Sequence, residues 1–363
     1  MRITELSTPG NSLLADLNVT IDVPLPPEMP VEVHAGFSLA QLLERSVKAL
    51  NRNLENMLKC PAGVPKGLEG ASAETLAMSF SSAEFAEQIQ AKRIRWEMWA
   101  QQVKQCGKVF IHCSNTLPME QRQQLLDEQN RIFGGLLGKS LPNEIADEFD
   151  VRVKSSNEFF DKLLELIDLI KNGYLAGYEH IIAAYSDFFS DFNAEILAKM
   201  KDWIKGGDDG KEVTLLTGEL RAALKSLIKK YTHPSPDSVL YPDPEKGGVS
   251  REEADAWRKA LGLPESCLKK NADGTYCVVI DIGPLTTMLD SVPNPWVGMV
   301  VWDTAKFQAW QTGFNSQEER MKNMLQSFTQ KYSNANAYHD NFNKTLSSHL
   351  NQYADMLKAM LNF

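Results

Sequence analysis

The chain has 363 residues, with 38 Lys or Arg against 47 Asp or Glu, and its formal net charge is −9. This length allows about two or three domains, and an acidic chain lacks the broad basic field that nucleic acid requires, so we expect no nucleic-acid partner. No run of about 18 uncharged apolar residues is present. The best candidate, 282–302, is interrupted by Asp290, Pro293 and Pro295. We therefore expect a chain that does not span a membrane.

The first 35 residues are polar and then proline-rich, and we predict that segment 1–35 is a disordered leader. They lack the basic flank, apolar block and small-residue cleavage site of a Sec signal peptide. Five cysteines are too few and too scattered for a disulfide framework. Cys267 and Cys277 nearly face each other across a predicted turn at 271–274, which leaves one cross-strand disulfide open.

Three helical patterns follow, and together they predict an N-terminal helical hairpin over 36–142. They lie at 39–58, at about 72–105 and at 118–136. Ser38 and Gln41 form a capping box before the first pattern. The Pro- and Gly-rich segment 61–70 separates the first pattern from the second.

Two long tracts contain no proline, 143–233 and 296–363, and long helices can form there. In the first, apolar residues recur at steps of three or four from Phe160 to Trp203, about 3.6 on average. Successive steps of four occur in places, which is typical of a coiled coil with stutters. We predict a first coiled-coil helix over 150–204.

In the second tract, Asp303 or Thr304 caps a helix whose apolar stripe runs from Phe307 to Leu361. This predicts a second coiled-coil helix over 304–363. Neither helix can leave its stripe in water, and their similar lengths favour an antiparallel pair within the chain.

The segment 205–303 between these helices predicts a small mixed α/β domain. Its expected strands lie at 212–216, 275–281 and 300–302, and its expected helices at 217–231 and 251–261. The predicted fold class is therefore mainly α with a small α+β part: a long antiparallel intramolecular coiled coil, an N-terminal helical hairpin and a distal mixed α/β domain.

No motif points to a metal, a cofactor or an enzyme. The sequence GGDDGKE at 206–212 has the wrong spacing for a phosphate loop and predicts a helix stop. Cys106, His112 and Cys113 lack the second pair of ligands that a tetrahedral site needs. Asp187 and Asp191 are expected to be solvated carboxylates. Three histidines on the long helices are expected at helix edges or in solvent, namely His180, His339 and His349.

Two segments resemble the needle-tip proteins of type III secretion systems, the IpaD, SipD and BipD family. They are 172–231, which begins NGYLAGYEHIIAAYSDFF, and 305–348, which contains QKYSNAN. The chain also ends LNF, similar to the Leu-x-Phe terminus of that family. The resemblance covers roughly 155–363, and it matches 1–150 only in layout.

This resemblance implies a protein that is cytoplasmic before export, passes unfolded through the needle and assembles as a pentamer at its outer end. It would cap the channel, respond to host signals such as bile salts and support the hydrophobic translocator proteins. The hairpin would act as an intramolecular chaperone. The main alternative is a cytosolic coiled-coil scaffold or export chaperone, and the third is an enzyme whose site the sequence does not reveal.

Two sets of residues are candidates for assembly. Polar side chains crowded on the second long helix, with its C-terminal apolar residues, predict contact with the needle subunit or with another copy of the chain; the alternative is a solvated face. These residues are Lys331, Asn334, Asn336, Asp340, Lys344, Leu361 and Phe363. A broad aromatic face on the first helix is predicted to receive the hairpin, the alternative being packing against the second helix alone. It consists of Tyr178, Tyr185, Phe188 and Phe189.

Overall fold

The structure is a computed structural model. It describes residues 38–59, 82–138, 142, 152–207, 211–294 and 296–361. The predicted leader 1–35 lies outside these ranges.

The described ranges before residue 142 contain three helices. They are α1 (Leu39–Leu58), α2 (Ser82–Asn115) and α3 (Met119–Gly138). The predicted capping box is confirmed, since the Ser38 side chain accepts from the Gln41 N–H and the Gln41 side chain accepts from the Ser38 N–H. The helices α1 and α2 run antiparallel, with Asn53 bonded to Gln102.

The second of these helices continues beyond its predicted end at about 105. It does so because Val109, Phe110 and Cys113 extend the buried stripe of α2. Gly107 lies inside this helix at a point where there is no room for a larger residue. A Cβ there would lie 2.8 Å from the Phe160 ring. The predicted start near 72 lies outside the described residues.

The first long helix, here called the first rod, is helical from Ser156 to Trp203 without a break. Its segments are α4 (Ser156–Asp168), a π-helix (Leu169–Leu175), α5 (Ala176–Phe192), a second π-helix (Asn193–Leu197) and α6 (Ala198–Trp203). Both π-helices fall where the apolar residues advance by successive steps of four. A wider turn there keeps the apolar stripe facing the same neighbours.

The distal segment follows the first rod directly. Its elements are β1 (Ile204–Gly206), β2 (Glu212–Leu215), α7 (Thr217–Lys230), β3 (Val239–Tyr241), α8 (Arg251–Leu261), β4 (Leu268–Lys270), β5 (Tyr276–Val279), α9 (Gly283–Ser291) and β6 (Val300–Asp303). They form two antiparallel sheets, ordered β1-β2-β6 and β3-β5-β4. The turn between β4 and β5 needs Gly274, whose φ is 91°.

The three expected strands and two expected helices of this segment are all present. The sequence did not predict β1, β3, β4 or α9. The three strands among them have only three residues each, too few to show an alternating pattern.

The second rod is α10 (Thr304–Leu361), a single helix of 58 residues. Asp303 caps it, because its Oδ1 accepts from the Lys306 N–H at 2.8 Å. The two rods are antiparallel: Tyr174 meets Tyr338 at 5.8 Å between ring centroids, and Tyr185 meets Phe328 at 5.1 Å. The predicted fold class is thus confirmed. Within the described ranges, no helix is both long enough and apolar enough to cross a membrane.

Candidate assembly surface

The N-terminal helices lie on the second rod through a row of buried or half-buried polar side chains, which we call the polar seam. On α10 the seam consists of Asn336, His339, Asp340, Asn343, Ser347 and Asn351. On the hairpin it consists of Asn51 and Lys92. Apolar side chains of α1 and α2 are buried in the same core, among them Leu43, Leu50, Trp96 and Trp99.

Lys92 is the charged centre of the seam. Its side chain is only 1% exposed, and its Nζ donates to Asn336 Oδ1 at 2.7 Å and lies 3.6 Å from Asp340 Oδ1. Burial alone raises the pKa of the Asp340 carboxyl, but His339, Lys92 and Lys344 outweigh burial and hold this pKa below its ordinary value. A buried ammonium is costly unless it is paired, so this contact fixes how α2 sits on the rod.

His339 is also covered by α2. Its ring lies 4.5 Å from the Trp96 ring between centroids, and its Nε2 lies 3.0 Å from Asn343 Nδ2. Burial lowers its pKa, although Asp340 opposes this shift. The expectation that His339 and His180 lie at an edge or in solvent is therefore wrong: both are buried, and His180 Nε2 lies 3.3 Å from the Val239 carbonyl oxygen.

The seam continues along α1 as an amide pair. Asn51 Nδ2 donates to Asn351 Oδ1 at 2.9 Å, while Asn51 Oδ1 accepts from Asn351 Nδ2 at 3.0 Å and from Ser347 Oγ at 2.8 Å. Helix α3 adds one further contact to α10, from Gln129 Nε2 to the Tyr353 hydroxyl at 2.7 Å. Such mutually satisfied polar pairs specify register more than they add stability.

Two ion pairs join α2 to the first rod. Arg93 Nη2 lies 2.8 Å from Glu179 Oε2, and Lys171 Nζ lies 3.1 Å from Glu97 Oε1. Glu179 is 2% exposed, and among the residues that the structure describes its second oxygen, Oε1, has no hydrogen-bond partner. Burial raises the pKa of this carboxyl, while Arg93 opposes the shift.

The predicted assembly residues on α10 fall into two environments. Asn336 is 1% exposed and lies beneath α2, so its assembly role stays a prediction that requires the hairpin to move away. Asp340 is partly covered by the same helix, whereas Lys344 is exposed. Leu361 is half-buried at the edge of the core, and Phe363 lies outside the described residues.

Lys331 and Asn334 remain accessible and line a groove of about 760 Å³ between the rods and α8. Tyr174 and Tyr178 of the first rod form its aromatic wall, and Lys259 of α8 adds a second ammonium group. The groove therefore combines apolar surface with two lysines and two carboxylates, Glu252 and Asp255, and Lys259 is paired with Asp255 at 2.7 Å.

The aromatic face of the first rod contacts the distal segment and the second rod. Tyr178 meets Trp257 of α8 at 5.0 Å, and Tyr185 packs on Phe328 of the second rod. Phe188 meets Tyr231 at 4.9 Å, and Phe189 meets Phe192 of the same helix at 6.1 Å. The distal segment and the second rod thus use part of the predicted hairpin-docking face, and docking of the hairpin on this face stays a prediction.

Cys267 and Cys277 are buried free thiols, so the disulfide that the sequence left open does not form. Burial raises the pKa of each thiol to about 11.

Asp187 was expected to be a solvated carboxylate. Burial, with Asp191 nearby, instead raises its pKa to about 6. Across the described part of the chain, no group of three or more His, Cys, Asp or Glu is arranged to hold a metal ion.

One signal for the seam was present in the sequence. The buried positions of α2 advance by three and four residues through Ile89, Lys92, Trp96, Trp99 and Val103. A lysine at a seam position of this pattern indicates a buried polar contact that sets register. Its partner on α10 could not be predicted, because spacing does not reveal which helices meet.

A family model for type III secretion systems tip complex components matches residues 150–361. The chain belongs to this family. The match contains both rods and the distal segment, and α1 to α3 lie before it. The family comprises components of a secretion apparatus rather than enzymes.

Proteins of known name agree with this assignment. The chain is 40% identical over 211 residues to the cell invasion protein SipD of Salmonella typhi, covering 57% of this chain and 62% of SipD. It is 38% identical over 265 residues to the invasin IpaD of Shigella flexneri, covering 70% and 77%. It is 30% identical over 201 residues to the translocator protein BipD of Burkholderia thailandensis, covering 55% and 58%. The match to SipD thus spans less than two thirds of that relative.

The fold is also similar to a solved structure. The crystal structure of the pathogenicity island 1 effector protein from Chromobacterium violaceum matches with a TM-score of 0.63 and 27% identity. This match covers 88% of the present chain and all of that one.

Proposed function

We propose that this protein caps the outer end of a type III secretion needle, controls secretion there and supports insertion of the hydrophobic translocators during host-cell invasion. Membership of the tip-complex family supports the tip position. The names of its relatives, a cell invasion protein and a translocator protein, support the link to invasion and translocation. The protein would be cytoplasmic before export and would lie on the bacterial surface afterwards.

The polar seam is the observation that carries the assembly mechanism. It supports a role for the hairpin, over 36–142, as a self-chaperone that covers Asn336 and Asp340 before export. A partly polar interface gives register with less affinity than an apolar interface of equal size, so it suits a contact that must be released. Release would uncover a ladder of polar side chains on α10 for the needle subunit or for another copy of the chain.

The groove at Lys331 and Asn334 remains accessible while the hairpin is docked. Its tyrosines and the ammonium group of Lys331 suit an anionic amphiphile, and a bile salt has this chemistry. The host-signal part of the proposal therefore assigns bile salts to this groove. Adding deoxycholate should perturb Lys331 and Tyr178 signals in NMR spectra; no perturbation there would remove the bile-salt assignment without affecting the tip assignment.

The decisive experiment is imaging of needles isolated from strains with and without this protein. We expect needles decorated at the tip in the first strain only, and the protein in the culture supernatant only when the needle is intact. Retention in the cytoplasm with undecorated needles would favour a coiled-coil scaffold or export chaperone.

The proposed contact of Lys331 and Asn334 with the needle subunit, or with another copy of the chain, is tested in the same strains. The double variant Lys331→Ala/Asn334→Ala should lower tip decoration without changing helicity. Lys229→Ala, a change at an exposed lysine on α7 away from the groove, is the matched control and should decorate normally.

Removing residues 1–140 should expose the seam and give concentration-dependent oligomers in light scattering. A truncated chain that stays monomeric at about 100 μM would overturn the self-chaperone role.

A further inference from the structure

The turn before β6 carries an exposed apolar patch, which we call the loop patch. It consists of Trp296, Val297, Met299 and Val301, and these residues are 100%, 67%, 45% and 56% exposed. A fully exposed tryptophan leaves about 150–250 Å² of largely apolar surface in water. Contiguous apolar surface on this scale often marks a binding site.

The backbone holds the loop patch in place. The Gly218 N–H, in the first turn of α7, donates to the Gly298 carbonyl oxygen at 2.7 Å. A Cβ at Gly218 would lie 3.3 Å from that oxygen, so the two segments are in close contact. Gly298 has a φ of 68°, which favours glycine. The exposure of Trp296 is therefore a property of an anchored turn.

The loop patch carries no charge of its own. Residues 291–302 contain no Asp, Glu, Lys or Arg. In the sheet, Val301 pairs with Thr214, which pairs in turn with the exposed Lys205 of β1. Asp303, two positions after Val301, is exposed and acidic. Groups of opposite charge thus flank the loop patch, so apolar burial rather than charge must supply its attraction for a partner.

The size and composition of the loop patch favour a lipid surface over a protein surface. A stable protein–protein interface uses about 20–30 residues on each side. The loop patch has four, too few to hold a second copy of the chain. A bilayer interface needs no matching surface, and tryptophan is enriched there. A turn without charges also avoids the cost of moving an ion into lipid.

We propose that the loop patch inserts into the interfacial region of a lipid bilayer, with Trp296 at headgroup depth and Val297 and Met299 against the acyl chains. The patch lies just before α10, about 50 Å along that helix from Asn336, so lipid and the hairpin do not compete for one surface. This proposal goes beyond the needle-tip function and concerns the isolated chain. Its failure would leave the tip assignment unaffected.

The test is sedimentation of the full chain with sucrose-loaded phosphatidylcholine vesicles at up to about 10 mM lipid. We expect a bound fraction that rises with lipid concentration. It should change less than about threefold when NaCl is raised from about 50 to about 500 mM, because charge supplies little of the attraction. Trp296→Ser should lower the partition coefficient about tenfold or more. Met119→Ser, a change at an 87% exposed residue that begins α3, is the matched control and should leave the coefficient unchanged.

Tryptophan emission gives a second readout. All seven tryptophans lie in the described ranges, and those other than Trp296 are buried or half-buried. Phosphatidylcholine with brominated acyl chains should therefore quench the emission of Trp296. This quenching should be absent in Trp296→Ser.

The proposal is wrong if no bound fraction is seen at about 10 mM lipid, which would leave a protein as the partner of the patch. It is also wrong if Trp296→Ser lowers the partition coefficient by less than about threefold, or if Met119→Ser lowers it equally. A fall of more than about threefold at the higher salt would show that charge holds the chain on the vesicle. Self-association without lipid that is lost in Trp296→Ser would show instead that the patch joins copies of the chain.

Each variant is first checked for a cooperative thermal transition. Trp296 is fully exposed, so its replacement removes no packing. If Trp296→Ser nevertheless fails that check, Val297→Ser replaces it and should weaken binding about threefold. Unchanged binding in Val297→Ser would then be the contradicting result.

Discussion

Replacing Lys92 by methionine tests whether the polar seam holds the hairpin on the second rod. Lys92→Met keeps the length of the side chain and removes the ammonium group that donates to Asn336 Oδ1. Asn336 is 1% exposed, so its oxygen cannot bond to water instead. Leaving this buried acceptor without its donor should lower the free energy of unfolding by about 1–3 kcal/mol. The Asp340 side chain is 24% exposed and keeps water, so the loss of its charge partner adds about 0.5–1 kcal/mol. We expect a loss of about 2 kcal/mol in the free energy of unfolding.

The partner change, Asn336→Leu, should be more damaging. It removes the acceptor at 2.7 Å from a buried ammonium group that also contacts Asp340 at 3.6 Å and the Trp96 ring at 5.2 Å. Removing one partner of a buried charge costs about 3–5 kcal/mol. The double variant removes both polar groups and replaces them with apolar ones, which is often nearly neutral. The double variant keeps only the loss of the charge partner of Asp340, about 0.5–1 kcal/mol. The double-mutant cycle should therefore give a coupling energy of about 4–6 kcal/mol.

Urea unfolding of the four proteins measures this coupling, and hydrogen exchange along α2 shows whether the weakened region is the hairpin. Lys104→Met, a change at an exposed lysine of the same helix, is the control and should stay within about 0.5 kcal/mol of the original chain. Additivity of the two single changes within about 0.5 kcal/mol would refute the assignment of Lys92 as the centre of the seam.

Three further outcomes are expected in unfolding experiments. Gly107→Ala should destabilise by about 1–3 kcal/mol because its Cβ would press on Phe160, whereas Gly135→Ala, with open space around it, should stabilise by up to about 1 kcal/mol; equal effects would contradict the packing of α2. Because burial lowers the pKa of His339 below 6.5, its contribution is complete above that pH and is lost as the pH falls, so His339→Gln should show a shallower loss of stability between about pH 7 and pH 5. Burial raises the pKa of Asp187 to about 6, so its charged form destabilises the folded chain. Asp187→Asn should therefore be more stable at about pH 8 by about 1 kcal/mol, allowing for partial exposure, and this gain should vanish near pH 4. A gain independent of pH would contradict burial as the cause.

The His339 comparison needs a variant because several ionisable groups face the same region. Lys92 of α2, Lys171 of the first rod, and Asp340 and Lys344 of α10 all act on His339 or on its neighbour. Glu179 has a raised pKa and changes stability with the opposite sign as the pH falls. The contributions of Lys92, Lys171, Lys344 and Glu179 are common to both proteins and cancel in the difference between them, whereas that of Asp340 changes, because His339 helps to hold its pKa down.

The rods could be predicted because their signal is local. Apolar steps of three and four, proline-free tracts and caps such as Ser38 and Asp303 lie within short stretches of sequence, and each is present in the structure. The distal strands 212–215 and 276–279 were found for the same reason, since β-branched residues and a glycine turn mark them locally. Contacts between distant segments carry no such signal, so the docking of the hairpin on α10 was missed.

The candidate site was found only in part because exposure depends on which helix covers which face. Lys331, Asn334 and Asn336 are all polar residues on the same helix and look equivalent in the sequence. In the structure the first two line an open groove, whereas Asn336 lies beneath α2. The difference arises from the angular position of each residue around α10 and from the position of its neighbours.

The first rod and the hairpin hold the second rod by different chemistry. This difference determines which of the two contacts with the second rod weakens first. Tyr185, Phe328 and Tyr338 join the rods through aromatic packing, which strengthens as water is excluded and depends little on charge. The hairpin depends in addition on Lys92, Asn51 and their polar partners, whose gain is offset by the cost of removing them from water. A perturbation that adds a charge to the seam, or offers its groups another partner, therefore weakens the hairpin contact first. The antiparallel rods would remain paired while the face of α10 at Asn336 became free.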